Sequence, residues 1–455
     1  MSLKIAIVGA GPAGCTLARL LHLGGIDATV YEGEASPNYR SQGGTLDLHT
    51  ATGLAALKEA GLWDEFLKYA RYDGEYMLVC DKNLNSFFSK GNEPTSETDL
   101  MGQRPEIDRS SLRQILSESL PAGMIQWGRH VKTVTKATAA TKASITFSDA
   151  TTASGFDLIV GADGAWSKVR AALSDQKPLF SGMALNELRI PDAANTAPAL
   201  TKLVHRGSIF VQADGRKAAI QQMGDGSLHV TVATRRSDTP NVPLLGGPDG
   251  TTRADSWTET CGYDPTSLDE VKAAMLSRPE LIADFDPRLQ DCVTYAAGDT
   301  VPRSLYALPV GFQWDHQPGL TLIGDAAHLM TPFAGEGVNV AMDDARKLAA
   351  AILGVASASS ASSATNAVRL PAQLDTAVHH FETEMYARVH KVTKLTNDLL
   401  LAWFYTPGAP ESVVASVMAA HVRFHMPALA APFATAAVHA YYFLYKKCLK
   451  KEIKV

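Results

Sequence analysis

Apolar and polar residues change their spacing from one stretch of this chain to the next. Near the start, the continuous apolar run KIAIV breaks at a glycine-rich turn, continues into an apolar helix stopped by Gly24-Gly25, and resumes as a second strand ending at Glu32. Unbroken apolar runs between turns predict strands buried on both faces, and the strand, helix, strand succession predicts a parallel unit. FDLIVGADGAWSKVR repeats the strand-to-turn change at Asp163-Gly164. LIGDAAHLMTPFAGEGVNVAMDDA repeats it at Gly324-Asp325, before a Pro- and Gly-containing bend and a new helix.

The middle of the chain reads differently. GSIFVQADGRKAAIQQMGDGSLHVTVAT, residues 207–234, holds three short runs separated by Asp214-Gly215 and Asp225-Gly226, which are hairpin signals. Leu228, Val230 and Val232 share one face, so His229 and Thr231 point from the other, either to solvent or into a cavity. Farther on, Leu374, Val378, Phe381, Met385, Val389, Val392, Leu395, Leu399 and Trp403 recur at three and four, predicting a long amphipathic helix that ends at TPGAP. The Ala and Ser run from Ala356 to Thr365 separates it from the preceding segments and predicts a flexible linker.

Composition narrows the classes. A chain of 455 residues suggests two or three structural units, and a net charge of -5 offers no electrostatic lure for nucleic acid. Five scattered cysteines without a C-x-x-C pair indicate neither a disulfide framework nor a zinc site, and no metal ligand set is expected. A reducing, cytoplasmic setting fits these features. Residues 426–445 lack Asp, Glu, Lys and Arg, but their prolines and tyrosines and the dominance of Ala argue against a spanning helix, so membrane contact is not expected.

The first turn carries specific chemistry. Gly9, Gly11 and Gly14 have the G-x-G-x-x-G spacing, with Pro12 and Ala13 between the last two, and Glu32 follows about 20 residues later. Such a turn lets a pyrophosphate reach the backbone at a helix N-terminus, while the acid accepts hydrogen bonds from a ribose. An acid at Glu32 favours a free 2′-hydroxyl, so the resident dinucleotide is FAD or NAD.

The order of the three strand-to-turn segments resembles the class A flavoprotein monooxygenases, the FAD hydroxylases related to para-hydroxybenzoate hydroxylase. SQGGTLDLHTATGLAALKEAGLWDEF, PEIDRSSLRQIL and the two segments already quoted are most similar to the TetX-type, tetracycline-inactivating branch, with good coverage to about residue 350. The resemblance implies a fold of class α/β: a Rossmann-like FAD-binding domain of glutathione-reductase type, an inserted antiparallel or mixed β-sheet substrate domain, and C-terminal bridging helices. The expected boundaries are 1–73, 101–178 and 290–354 for the FAD domain, 74–100 and 179–289 for the substrate domain, 355–370 for the linker and 371–455 for the helices.

By position, the resemblance assigns FAD contacts to Gly43, Gly44, Arg109, Arg113, Asp163, Gly324, Asp325, Pro332, Gly335, Gly337, Val338 and Asn339. Asp325 would hold the ribityl chain, and the loop beginning at Pro332 would line the isoalloxazine. His229, Phe333 and Glu187 would meet substrate; relatives carry a glutamine near the last position, which puts tetracycline itself in doubt. Gly33 stands where relatives commonly have an arginine. His328 reads as a core or helix-start histidine.

The implied activity is an FAD-dependent monooxygenase that consumes NADPH or NADH as a transient donor. It would hydroxylate a polycyclic phenolic or enolic small molecule with O₂ through a flavin C4a-hydroperoxide, as a monomer, with the flavin C4a performing the chemistry and no catalytic side chain assigned. An FAD halogenase or reductase on the same fold, and a flavin- or drug-binding protein without catalysis, are the alternatives.

Overall fold

The computed structural model describes residues 3–36, 43–91, 104–138, 141–236, 261–360, 369–427 and 429–444. Five strands form an all-parallel sheet: β1 (Lys4–Val8), β2 (Asp27–Tyr31), β7 (Ile125–Gln126), β11 (Leu158–Gly161) and β17 (Leu320–Leu322). Their spatial order is β17-β11-β1-β2-β7. Ile5 is aligned with Leu158 on one side and Ala28 on the other, and Ile159 with Leu320. Helix α1 (Pro12–Leu23) packs against α8 (Gly337–Ser360), with Leu17, Leu21, Met342 and Leu348 buried in the same core as the strands. Both faces of the sheet are covered, which is why its strands read as unbroken apolar runs.

A second sheet of seven strands is mixed. It consists of β4 (Met77–Asp81), β5 (Ser86–Lys90), β12 (Leu179–Ile190), β13 (Ser208–Ala213), β14 (Arg216–Gln222), β15 (Leu228–Arg235) and β16 (Val301–Ala307), in the order β16-β12-β15-β14-β13-β4-β5. Only the β13-β4 pairing in it is parallel. The three runs seen in the sequence are β13, β14 and β15. Val230, Val232, Ile220 and Ile209 line one face and bury against α4 (Pro198–Val204), α5 (Leu268–Ser277) and α6 (Pro287–Thr294). The other face carries Leu185, Ala233 and Val79 and belongs to a different core.

Helix α9 (Arg369–Leu400) connects the two cores. Its Leu374, Val378, Phe381, Met385, Val389 and Val392 join the parallel-sheet core, whereas Leu395 and Leu399, with Trp403 and Phe404 beyond the helix, pack on the mixed sheet. At roughly 1.5–3 kcal/mol for each large apolar side chain fully buried, this stripe ties the sheets together. Helices α10 (Val414–His425) and α11 (Ala431–Leu444) complete that layer.

The expected linker differs from what is observed. α8 continues to Ser360 and α9 starts at Arg369, so residues 355–360 and 369–370 are helical. Alanine is the best helix former, and the Ala-rich approach to the serines sustains the helix past residue 354. Residues 361–368 lie outside the described set. Among the described residues, no helix is long and apolar enough to cross a membrane.

Candidate active site

Four turns meet because their strands are neighbours. The carboxyl ends of β17, β11, β1 and β2 carry Gly324-Asp325, Asp163, Gly9 and Glu32 in a row, and the crevice at such strand ends is where parallel α/β sheets bind ligands. Gly9 has φ +103°, and a Cβ there would lie 2.3 Å from the Ala162 carbonyl oxygen. A Cβ on Gly14 would lie 2.0 Å from the Gly9 oxygen, whereas Gly11 faces open space. The turn is therefore pressed against β11 and α1 on one side and bare on the other. Pro12 and Ala13 begin α1, leaving its first N–H groups aimed at the crevice. Glu32 accepts from the Ala10 N–H at 2.7 Å and from the Glu34 N–H at 2.8 Å, so it braces the turn as well as bordering it.

Asp163 caps α3 (Lys168–Leu173): its Oδ2 accepts from the Lys168 N–H at 2.7 Å, while its buried Oδ1 has no hydrogen-bond partner among the described residues. Burial raises its pKa against those hydrogen bonds. Asp325 opens α7 (Asp325–His328), an exposed carboxyl in an otherwise buried segment. Burial nevertheless raises its pKa, opposed by His328, Arg109 and Arg170. Arg109, the first residue of α2 (Arg109–Glu118), has the same character: exposed, lowered by burial, and attracted by Asp325 and Glu187. Arg113, one turn on, is buried and pairs with Glu34 at 2.6 Å.

The loop from Pro332 to Ala334 is a short helical turn, followed by Gly335 at φ +71° and by α8 from Gly337. Nothing stands within 4 Å of where a Gly337 side chain would be, so the first turn of α8, with Gly337, Val338 and Asn339, presents unpaired backbone N–H groups. The Asn339 side chain is fully committed: Nδ2 donates to the Asp47 oxygen at 2.9 Å, and Oδ1 accepts from the His49 N–H at 2.8 Å. It pins the segment after β3 (Thr45–Asp47), which pairs with β6 (Glu106–Asp108), and leaves only its backbone for a ligand.

Across the crevice lies the mixed sheet. His229, Thr231, Glu187 and Gln221 share the face opposite Val230. Gly44 is in close contact with it: a Cβ there would be 2.8 Å from His229 Nδ1 and 2.7 Å from Gln221 Oε1. Gly43 lies beside Arg109 and Glu187. Among the described residues, neither buried His229 ring nitrogen has a hydrogen-bond partner, and burial lowers its pKa despite Glu187, which keeps the ring neutral at pH 7. Glu187 pairs with Arg303 of β16 at 2.5 Å, so its charge is compensated. Phe333 stacks on Phe404 with ring centroids 4.7 Å apart.

Three groups were not legible as site residues. His49 touches Asp47 at 3.0 Å and Glu336 at 3.3 Å beside the Gly335 loop, joining segments nearly 300 positions apart. Lys217 sits near Phe333. Asp344 pairs with His328, a buried histidine as its sequence reading suggested. Strand alternation read through the hairpin register would have placed Lys217 on the His229 side; nothing local signals the other two. Elsewhere, His316, His379 and Glu382 lie within metal-binding reach, but His316 is already held by Glu382 at 2.7 Å and Asp375 at 3.1 Å as a brace between α9 and the segment before β17.

A bare glycine turn, an orphaned buried carboxylate oxygen and an open helix N-terminus fit the pyrophosphate, ribose and ring edge of a flavin dinucleotide. A profile of the family described as FAD binding domain matches residues 2–237 and 313–369. The chain belongs to that family. It is 32% identical to Monooxygenase penA of Penicillium thymicola over 88% of this chain and 95% of that protein. It is an oxidoreductase, an FAD-dependent monooxygenase with FAD as its cofactor. Klebsiella pneumoniae HpxO, solved with FAD and uric acid, superposes with a TM-score of 0.66 at 16% identity, covering 96% of this chain and 97% of that one. The tetracycline destructase Tet(51) gives 0.62 at 16%, covering 94% and 98%. At these identities the likeness is one of fold, and it extends to the tetracycline-inactivating branch.

Proposed function

We propose that this monooxygenase hydroxylates an electron-rich carbon of a polycyclic phenolic or enolic small molecule, with NADPH or NADH as the transient donor. FAD, when bound, supplies electron transfer from the nicotinamide and activation of O₂. The protein's own part is placement and exclusion of water. Gly9, Gly11 and Gly14 with the N-terminus of α1 would receive the pyrophosphate, Glu32 and Asp163 would border the ribose and phosphate, and Asp325 with Arg109 would take the ribityl chain. The N–H groups of Gly337 to Asn339 and the positive end of α8 would face the ring edge where negative charge develops. The carrying observation is the sheet face opposite these turns, where neutral His229 and the Glu187–Arg303 pair supply polar orienting groups, facing the aromatic wall that Phe333 of the Pro332 turn adds. Such a surface suits a flat molecule bearing a few oxygens.

The test is NADPH oxidation by the purified FAD protein under ¹⁸O₂ with a panel of polycyclic phenols. One labelled oxygen in a product supports the reading; hydrogen peroxide with no labelled product from any compound overturns it in favour of an oxidase, reductase or binding role.

A further inference from the structure

Lys217 is a cation without a counter-charge among the described residues. It lies on β14, on the face shared with Ala219 and Gln221, and its Nζ sits 4.8 Å from the Phe210 ring centroid and 5.2 Å from that of Phe333. Among the described residues it has neither an ion pair nor a hydrogen bond. The neighbouring charge on the same face, Arg235, donates to the Phe404 carbonyl at 2.9 Å and is also positive. Gln212, directly opposite on β13, keeps a buried Oε1 with no partner. Two aromatic faces attract an ammonium but only partly replace its hydration, so holding this half-buried charge there without an ion pair carries a cost. Burial alone pulls the amine down to about 8, so it remains mostly protonated at pH 7.

The position explains why such a cost is retained. Phe333 belongs to the turn that precedes α8, so Lys217 faces the flavin side of the sheet. His229 is aligned with Gln221, four residues along β14 from Lys217, which separates the two by roughly 13 Å at about 3.3 Å per residue. One end of the floor thus has a neutral histidine under Gly44, and the other a bare cation under Phe333.

We propose that Lys217 anchors an anionic oxygen of the substrate, a carboxylate or an ionised phenol or enol, at the Phe333 end of the sheet. This rests on the polycyclic reading above and adds to it the charge of the substrate and the end of the pocket that holds it. An incoming anion completes an ion pair against the two rings and fixes which carbon faces the flavin.

The experiment is a binding titration on the FAD-loaded enzyme, read by perturbation of the flavin spectrum, with shape-matched pairs: 2-naphthoate with 2-naphthamide, and anthraquinone-2-carboxylate with its carboxamide. Alizarin, above and below ionisation of its phenol, distinguishes a phenolate from a carboxylate. Wild-type enzyme is expected to prefer the anion of a pair by roughly tenfold or more. K217M should lose that preference with amide binding and FAD content unchanged, and K217R should restore it. A wild type without the preference, or a K217M that keeps it, overturns the inference while ¹⁸O incorporation still stands or falls separately. Failure of every pair to bind overturns the inference together with the polycyclic reading.

Discussion

His328 Nε2 lies 2.5 Å from Asp344 Oδ2, and the pair is buried beneath the turn that carries Asp325. Asp344 also receives Arg388 of α9 at 2.6 Å and the Gly324 N–H at 3.1 Å. One carboxylate on α8 therefore holds the end of β17, the short helix α7 and the bridging helix. Burial opposes its ionisation, but His328 and Arg388 keep its pKa below the usual carboxylate range.

Asp344→Asn removes the charge partner of the Arg388 guanidinium and of buried His328 and leaves a neutral amide between them. Breaking a buried pair in this way costs about 3–5 kcal/mol, so a large fall in the melting temperature is expected. A melting curve that matches wild type would show that the turn is held by other contacts.

Gly14→Ala places a methyl group against the Gly9 carbonyl, where a Cβ has only 2.0 Å. The turn must open, and the variant is expected to purify with little FAD while retaining much of its helix signal. Stoichiometric flavin released from the denatured variant would contradict this account.

Burial alone would lower the pKa of His49, yet Asp47 and Glu336 raise it to about 9. A folded pKa above the usual value near 6.5 gives stability that is full below about pH 6.5 and is lost as pH rises through 9. His49→Gln should therefore melt well below wild type at pH 6, and the gap should close by about pH 10. Parallel melting temperatures across that range would sink the assignment.

Asn339→Ala strips partners from the Asp47 oxygen and the His49 N–H. Leaving a buried backbone group unsatisfied costs roughly 1–3 kcal/mol. The segment after β3 should loosen from α8, and urea titration should show the loss alongside weaker FAD retention. Unchanged values in both would mean that water replaces the amide.

Much of the arrangement at the strand ends was legible because its requirements are local. Close packing demands glycine at Gly9 and Gly14, and a strand end followed by an acid is visible within a few residues at Glu32, Asp163 and Asp325. The direction of His229 followed from strand alternation, although whether it met solvent or protein depended on Gly44, far away in sequence. The His49–Glu336 and His328–Asp344 contacts could not be read, because each is set by how separate elements stack. The linker expectation failed at residues 355–360 because Ala-rich low complexity is as compatible with helix as with disorder.

The order of strands in the parallel sheet also has a consequence for synthesis. β1, β11 and β17 are neighbours in one sheet but start at Lys4, Leu158 and Leu320, so the row of strand ends cannot be completed until the chain has emerged from the ribosome past Leu320. A nascent chain shorter than Asp344 carries every glycine of the first turn and still lacks the carboxylate that secures the third. Such long-range pairing slows assembly, and a ligand that binds only the finished fold draws the equilibrium towards it. Flavin supply during expression is then expected to raise the share of chain that reaches its native state, so yellow colour would report completed folding as well as cofactor content.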